Sequence, residues 1–249
     1  RTLGFAGFFA VPMRFRPLGA VETLPAAPAL LQPTAEVGEV GDPGREQQVE
    51  RSERRRRGTA AATGLVDDLA HSPVAMYALA EGAGWVLGPL AAARTLHPHR
   101  SRRKPLPTTV VTDGEHGFTL DERAAMVEGA LRSMGLTDGF APLVVLCGHG
   151  ASTTANPHAA SLECGACGAH SGGANARAAA AMANDPALRA ALAERGIVVP
   201  DDTWFVAAEH DTTTDEVRLF DAERVPAQLR QRFAALAEDL ATAGERLAA

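Results

Sequence analysis

The chain has 249 residues, 46% of them hydrophobic, and this length can bury one large core or two small ones. A formal net charge of −6 argues against a general nucleic-acid binder, so no nucleic-acid partner is expected. Three cysteines, odd in number and clustered, exclude a secreted disulfide framework and favour a metal or redox role in a reducing setting.

The first hundred residues predict a buried start followed by a helical insertion. Residues 1–31 are apolar with interspersed Gly and Pro, and residues 32–45 have the composition of a surface loop. Residues 46–104 are expected to form a helical insertion that ends in a basic connector at 97–104.

Residues 74–93 within this insertion carry a single charge, Glu81, and are long enough to be considered as a membrane span. They are rich in Ala and Gly, contain Pro89, and place the charge near the middle, all of which disfavour a span. Ser72 and Pro73 supply an N-cap and N1 pair typical of soluble helices. We therefore expect a buried or partner-facing helix.

From residue 105 onward, strand patterns alternate with helix patterns. Strands are predicted at 108–112, 142–147, 197–200, 203–208 and 217–220, and helices at 120–134, 174–183, 186–195 and 226–249. Thr119 and Glu122 form a capping box before the first of these helices. The alternation predicts an α/β fold with a mostly parallel sheet flanked by helices, and residues 1–249 are expected to be part of one domain with its core at 105–249.

Residues 147–175 concentrate the side chains that carry chemistry. Thiolate and imidazole groups are the ligands that zinc favours, and the segment holds His149, Cys147, Cys164 and Cys167. His149 follows a predicted strand, at the sheet edge where ligands collect in open α/β folds. Its flanking glycines leave room around the imidazole, and the Gly-rich stretch at 165–173 could hold an anion such as bicarbonate through backbone N–H groups.

Three interpretations of this segment remain open. The first is a closed structural zinc knot made by Cys147, His149, Cys164 and Cys167. The second is a catalytic site that uses His149 and one cysteine and is completed by residues elsewhere. The third is a set of buried, unreactive cysteines beside a satisfied histidine. Spacing alone does not separate the first two, and a redox role for the Cys164–Cys167 pair lacks a thioredoxin-like context.

Weaker candidates lie nearby. Residues 209–216 are polar, follow a predicted strand, and include Asp215, so they could orient metal ligands from a second layer. A plain polar turn explains them equally well. His158 follows a proline in a polar loop and is expected to be a surface histidine, and His170 lies in the Gly-rich segment, where nothing else supports an anion contact.

Several motifs together resemble the inorganic carbon transporter subunit DabA family, over nearly the whole chain. The motifs are Gly-His-Gly-Ala-Ser at 148–152, Asn-Pro-His at 156–158, Cys-Gly-Ala-Cys-Gly at 164–168, Ser-Gly-Gly-Ala-Asn-Ala-Arg at 171–177, Pro-Asp-Asp-Thr-Trp-Phe at 200–205 and Thr-Thr-Thr-Asp-Glu-Val at 212–217. Because the chain opens on Arg1 and ends within a predicted helix, we expect a C-terminal fragment of a longer protein.

The resemblance implies a β-carbonic-anhydrase-like core and a zinc ion held by Cys, Asp, His and Cys in chain order. The last two ligands map onto His149 and Cys164, and Cys147 and Cys167 become bystanders. The first two belong to a Cys-x-Asp motif expected before Thr2, and this chain contains no such motif. The chain should then carry half of a metal site. Second-layer or anion contacts are expected at Gly148, Gly150 and Asp215.

The resemblance also implies a function. A peripheral protein on the cytoplasmic side of the cell inner membrane would work with an integral, proton-channel-like, DabB-like partner subunit. The pair would take up inorganic carbon by converting CO2 to bicarbonate with Zn²⁺, driven by a cation gradient, and the fragment alone should be inactive. The alternative is a soluble, non-catalytic interaction protein built around the Cys/His zinc knot.

Overall fold

The computed structural model describes residues 2–42, 44, 47–51, 53–55, 57–58, 72–96, 108–153, 156 and 158–248. The chain divides into two compact units, one made of residues 1–17, 22–40 and 108–249 and the other of residues 18–21 and 41–107. The insertion expected at 46–104 falls within the second unit, and its basic connector at 97–104 lies outside the described residues. A single α/β domain over the whole chain stays a prediction.

In the described part of the chain, seven strands form two sheets. The first sheet has the order β2-β1-β3-β4, with β1 at Met13–Arg16, β2 at Leu24–Ala26, β3 at Glu36–Gly41 and β4 at Thr108–Val111. The second has the order β5-β6-β7, with β5 at Leu143–Gly150, β6 at Trp204–Asp211 and β7 at Val217–Leu219.

Both sheets are mixed, whereas the alternating pattern predicts a mostly parallel sheet. Strand β1 is parallel to β3 and antiparallel to β2, and β6 is parallel to β5 and antiparallel to β7. The reason lies in the connections, because strands joined by a short turn can pair only in the antiparallel direction. Residues 17–23 and 212–216 are such turns. The β-carbonic-anhydrase-like core stays a prediction.

Among the residues that the structure describes, five α-helices have complete bounds, and side-chain caps mark the start of some of them. They are α1 at Pro73–Leu96, α2 at Leu120–Ser133, α3 at Gly173–Asn184, α4 at Pro186–Glu194 and α5 at Arg230–Ala248. The predicted capping box of α2 is confirmed, since the Thr119 hydroxyl and the Glu122 carboxylate each accept from the other's backbone N–H. Asp185 caps α4 by accepting from the Ala187 N–H at 2.9 Å.

The predictions for residues 197–200 and for the strand at 142–147 differ from the structure, the first in type and the second in its boundaries. Residues 197–200 are loop rather than strand, although Ile197 and Val199 are buried. An alternating apolar pattern here reflects core burial without a neighbouring strand edge to pair with. Strand β5 extends past Cys147 to Gly150, so His149 lies inside the strand and pairs in register with His210 of β6.

Helix α1, in the second unit, exposes large apolar side chains. Val74, Tyr77 and Trp85 are 78%, 70% and 88% exposed. The buried alternative is therefore wrong for these positions, and a partner-facing helix stays a prediction. Over the part of the chain that the structure describes, no helix has the length and apolar character needed to cross a membrane.

Arg177 of α3 is buried and binds three separate segments of the first unit. Its guanidinium forms an ion pair with Asp221 at 2.7 Å, donates to the Thr108 carbonyl at 2.6 Å, and contacts the Glu39 carboxylate. It also lies over the Phe220 ring at 5.6 Å. Burial acts to lower the pKa of Arg177, but the two carboxylates outweigh it and the pKa is raised.

We expect Arg177→Met to destabilise the protein strongly, because it removes the cation between Glu39 and Asp221. Breaking a buried pair by removing one partner costs about 3 kcal/mol or more, measured as the free energy of unfolding in urea. Arg132→Met, which removes an exposed pair with Glu128, is the control and should cost about 1 kcal/mol or less. Equal losses for the two variants would contradict the assignment.

Candidate metal centre

The end of strand β5 and the start of helix α3 approach each other at backbone distance. The Gly172 N–H donates to the His149 carbonyl at 2.8 Å. A Cβ on Gly148 would lie 2.6 Å from the Gly172 oxygen, and a Cβ on Gly172 would lie 3.2 Å from the Gly148 Cα. Gly148 has no room for a side chain, and a side chain at Gly172 would be tightly crowded. The structure therefore gives Gly148 a packing role that fixes the backbone of His149.

The loop that carries Cys164 is closed by its own backbone. The Cys164 carbonyl accepts the N–H groups of Cys167 and Ala169, each at 3.0 Å, and the Cys164 N–H donates to His170 at 3.2 Å. Gly168 and Ala169 have φ of 70° and 60°, in the left-handed region that this tight return requires. Cys164 and Cys167 are 1% and 0% exposed, so both sulfurs face the interior.

The two predicted ligands meet beside Gly7. A Cβ on Gly7 would lie 2.8 Å from Cys164 Sγ and 3.9 Å from both Cys167 Sγ and His149 Nδ1. Two thiols and an imidazole from different segments therefore lie close to one point, and the glycine lets the backbone approach Cys164 Sγ more closely than a methyl group would permit. Sequence reasoning did not single out Gly7, and its only local signal is a glycine in the apolar run at 3–10.

Sulfur and imidazole nitrogen suit zinc, and the chain places three such donors, Cys164 Sγ, Cys167 Sγ and His149 Nδ1, within 3.9 Å of the Cβ position of Gly7. Among the residues that the structure describes, no group of three His, Cys, Asp or Glu side chains is arranged to hold a metal ion. Cys147 is exposed, and its thiol contacts the carbonyl of Gly148 at 3.5 Å.

Gly150 lies among acidic side chains. A Cβ on Gly150 would lie 3.3 Å from Glu163 Oε2, Glu209 Cδ and Ser171 Cβ. The Ser171 hydroxyl donates to Glu209 and accepts the Gly173 N–H at 3.0 Å. Two carboxyl groups make this a poor setting for the anion contact expected at Gly150. The sequence does not show that Glu163 and Glu209 are neighbours, because they come from distant segments of the chain.

Burial shifts the pKa of Glu163. The pKa of Glu163 is raised, first by burial and then by the charges of Glu209 and Asp211. The Ala151 N–H and His149 act in the opposite direction. A cleft of about 290 Å³ opens beside Glu163, Ser171 and Glu209, with Phe15, Leu24 and Phe220 among its apolar walls.

Asp215 belongs to the turn between β6 and β7. Its Oδ1 lies 3.1 Å from His210 Nε2, and its φ of 56° places it in the left-handed region. His210 is the register partner of His149, so Asp215 is separated from the candidate ligand by one neighbouring strand position. Among the described residues, the Asp215 side chain contacts His210 and makes no direct contact with His149.

Comparison with known proteins identifies the family of this chain. The family model described as "Probable inorganic carbon transporter subunit DabA" matches residues 1–249, and the chain belongs to this family of transporter subunits. Curated proteins of that name are 40% identical in Chloroflexus aurantiacus over 98% of the chain, and 40% identical in Ralstonia pickettii over 94%. A relative from Novosphingobium aromaticivorans is also 40% identical over 98% of the chain.

The chain spans about a third of these relatives, namely 31%, 29% and 30% of their lengths. The expectation that the sequence is part of a longer protein agrees with this difference in length. No solved structure matches the chain.

We expect Glu163→Gln to stabilise the protein at pH 7. A carboxyl whose pKa is raised on folding contributes stability below its unfolded value of about 4.5 and loses it as the pH rises through the folded value. Removing the charge should raise Tm by roughly 2 °C at pH 7, and the gain should vanish below about pH 4.5. Differential scanning calorimetry at several pH values measures this.

Glu122→Gln is the matched control, because hydrogen bonds from Thr119 lower the pKa of Glu122 and its ionised form stabilises the fold. Its effect on Tm at pH 7 should have the opposite sign. A Glu163→Gln protein that melts below the wild type at pH 7 would contradict the assignment.

Proposed function

We propose that this chain is part of a zinc-binding subunit of an energy-coupled inorganic carbon uptake pump, which hydrates CO2 to bicarbonate together with a membrane partner. The observation that carries the proposal is the meeting of His149 Nδ1 and Cys164 Sγ beside Gly7, in a chain of the DabA family. The relatives' printed name supplies the transported class, inorganic carbon.

Zinc, when bound, supplies a Lewis acid that makes water nucleophilic near neutral pH. In this proposal His149 and Cys164 hold the metal, and the remaining donors come from outside this chain. The backbone bond from Gly172 and the closed loop around Cys164 keep the imidazole and the sulfur in place. Preformed ligands of this kind avoid the entropy cost of ordering them on binding.

The acidic pair beside Gly150 has a role in proton handling in the same proposal. Hydration of CO2 releases a proton, which needs an acceptor near the reaction. Glu163 interacts electrostatically with His149. Its pKa is raised, and a carboxylate accepts a proton more readily when its pKa lies closer to the working pH. Glu209, held by the Ser171 hydroxyl, lies beside it.

In this proposal the protein is held on the cytoplasmic side of the inner membrane by an integral partner subunit, which is proton-channel-like and DabB-like. Helix α1 is our candidate for the contact surface with this partner. Its described exposed side chains include Val74, Tyr77 and Trp85, and Glu81 is the one charged residue in 74–93. An exposed apolar surface rimmed by few charges is typical of an interaction site.

In the full-length protein, His149→Ala and Cys164→Ser should each lower zinc affinity at least about 10-fold and abolish labelled inorganic carbon uptake in cells. Cys147→Ser is the matched control and should change neither quantity, since Cys147 is exposed. Zinc content by mass spectrometry and chelator competition measure the affinity. If Cys147→Ser and Cys167→Ser abolish zinc binding as well, the structural knot is the better interpretation.

The surface of α1 calls for a separate experiment. Trp85→Arg should lower recovery of the integral partner in co-purification by about 10-fold, because it buries a charge in an apolar contact. Ala243→Arg, at an exposed position of α5, is the control and should leave recovery unchanged. Equal recovery with wild-type and Trp85→Arg protein would rule out this surface.

A further inference from the structure

The turn that carries Gly7 has an unusual backbone. Phe9 and Ala10 are consecutive non-glycine residues with φ of 50° and 57°, in the left-handed region that side chains rarely adopt. Two turn hydrogen bonds close the segment, from the Phe9 N–H to Ala6 and from the Val11 N–H to Phe8, each at 2.9 Å. Such a conformation persists only where the surrounding structure holds it, and it is concentrated at functional sites.

The side-chain amide of Asn175 supplies that hold. Asn175 is 0% exposed, and its Nδ2 donates to the carbonyls of Val11 at 2.8 Å and Ala26 at 2.9 Å. The Phe8 carbonyl lies 3.5 Å from the same nitrogen. The amide thus contacts the backbone on the C-terminal side of Gly7 and strand β2 together.

Helix α3 reaches both sides of the candidate metal centre. Through Asn175 it holds the turn with Gly7, and through the Gly172 N–H, just before its first residue, it holds the His149 carbonyl. The position of Gly7 relative to His149 is therefore set by a few residues of one rigid element. Since Gly7 also borders Cys164 Sγ, a shift of the turn would change the space available to the sulfur.

We propose that Asn175 is a positioning residue for the candidate metal centre. Its amide anchors the Gly7 turn so that Cys164 Sγ and His149 Nδ1 stay directed at a common point. The proposal rests on the proposed function for the identity of the metal, and it concerns a residue that touches neither the metal nor the substrate. The contacts of the Asn175 side chain agree with this role. Its Nδ2 donates to the backbone, and its Oδ1 has no hydrogen-bond partner among the described residues.

The test uses the full-length protein with Asn175→Asp, which keeps the shape of the side chain and replaces the donor by an acceptor facing carbonyl groups. Zinc affinity should fall about 10-fold or more, and the thiolate-to-metal charge-transfer band of the cobalt-substituted protein should weaken or shift. An unchanged band together with unchanged affinity would overturn the proposal.

Asn184→Asp is the matched control for a purely structural loss. Asn184 lies at the other end of α3 and donates from Nδ2 to the Phe205 carbonyl at 2.8 Å, away from the candidate centre. It should lower Tm while leaving zinc affinity and the cobalt band unchanged. If Asn184→Asp changes both as much as Asn175→Asp does, the role of Asn175 is only structural and the proposal fails.

Gly7→Ala keeps the proposal testable if Asn175→Asp does not fold. The added methyl would meet Cys164 Sγ at 2.8 Å, so it should produce the same fall in affinity and the same spectral change. In a folded double variant the two effects should be non-additive, because both act through the same turn. Full additivity would count against the shared mechanism.

A measurement on metal-free protein separates this inference from the proposed function. Alkylation of Cys164, which is 1% exposed, should be at least about 10-fold faster in Asn175→Asp and unchanged in Asn184→Asp. If wild-type protein binds no zinc through His149 and Cys164, the proposed function fails, and this rate still decides whether Asn175 positions the turn. An unchanged rate would overturn the inference.

Discussion

The close backbone approach of strand β5 to the start of helix α3 is the constraint on which the site depends. Gly148 has no room for a Cβ, a Cβ at Gly172 would be crowded, and the Gly172 N–H donates to the His149 carbonyl. Bringing two backbones this near fixes the imidazole-bearing residue to a rigid helix. It also places Ser171, immediately before the helix, against Glu209 of the neighbouring strand.

Helix α3 connects this contact to the rest of the first unit. Two residues apart, Asn175 holds the N-terminal turn and Arg177 holds strand β3 through Glu39. Alanine occupies most of the other buried positions of the helix. Because the Asn175 amide nitrogen and the Arg177 guanidinium are buried and bind distant segments, the helix can connect the donors of the candidate centre to a cooperative core.

Sequence patterns predict the structure correctly where it depends on residues that are neighbours in the chain. The capping box at Thr119 and Glu122 and the Asp185 cap form within single turns, so the sequence predicted α2 and α4 well. Errors occurred where pairing partners decide the outcome. Residues 197–200 look like a strand but have no strand edge beside them, and β5 continues to Gly150 because β6 pairs with it along its whole length.

Residue identity and short spacing are enough to predict the candidate donors, the helix caps and the resemblance to a family. They do not show that Gly7, His149 and Cys164 lie around one point, or that Glu163 and Glu209 lie around another; the folded structure shows this. The physical reason is that contacts between distant segments depend on how closely two backbones can pack. That distance is set by the whole core, and no local pattern encodes it.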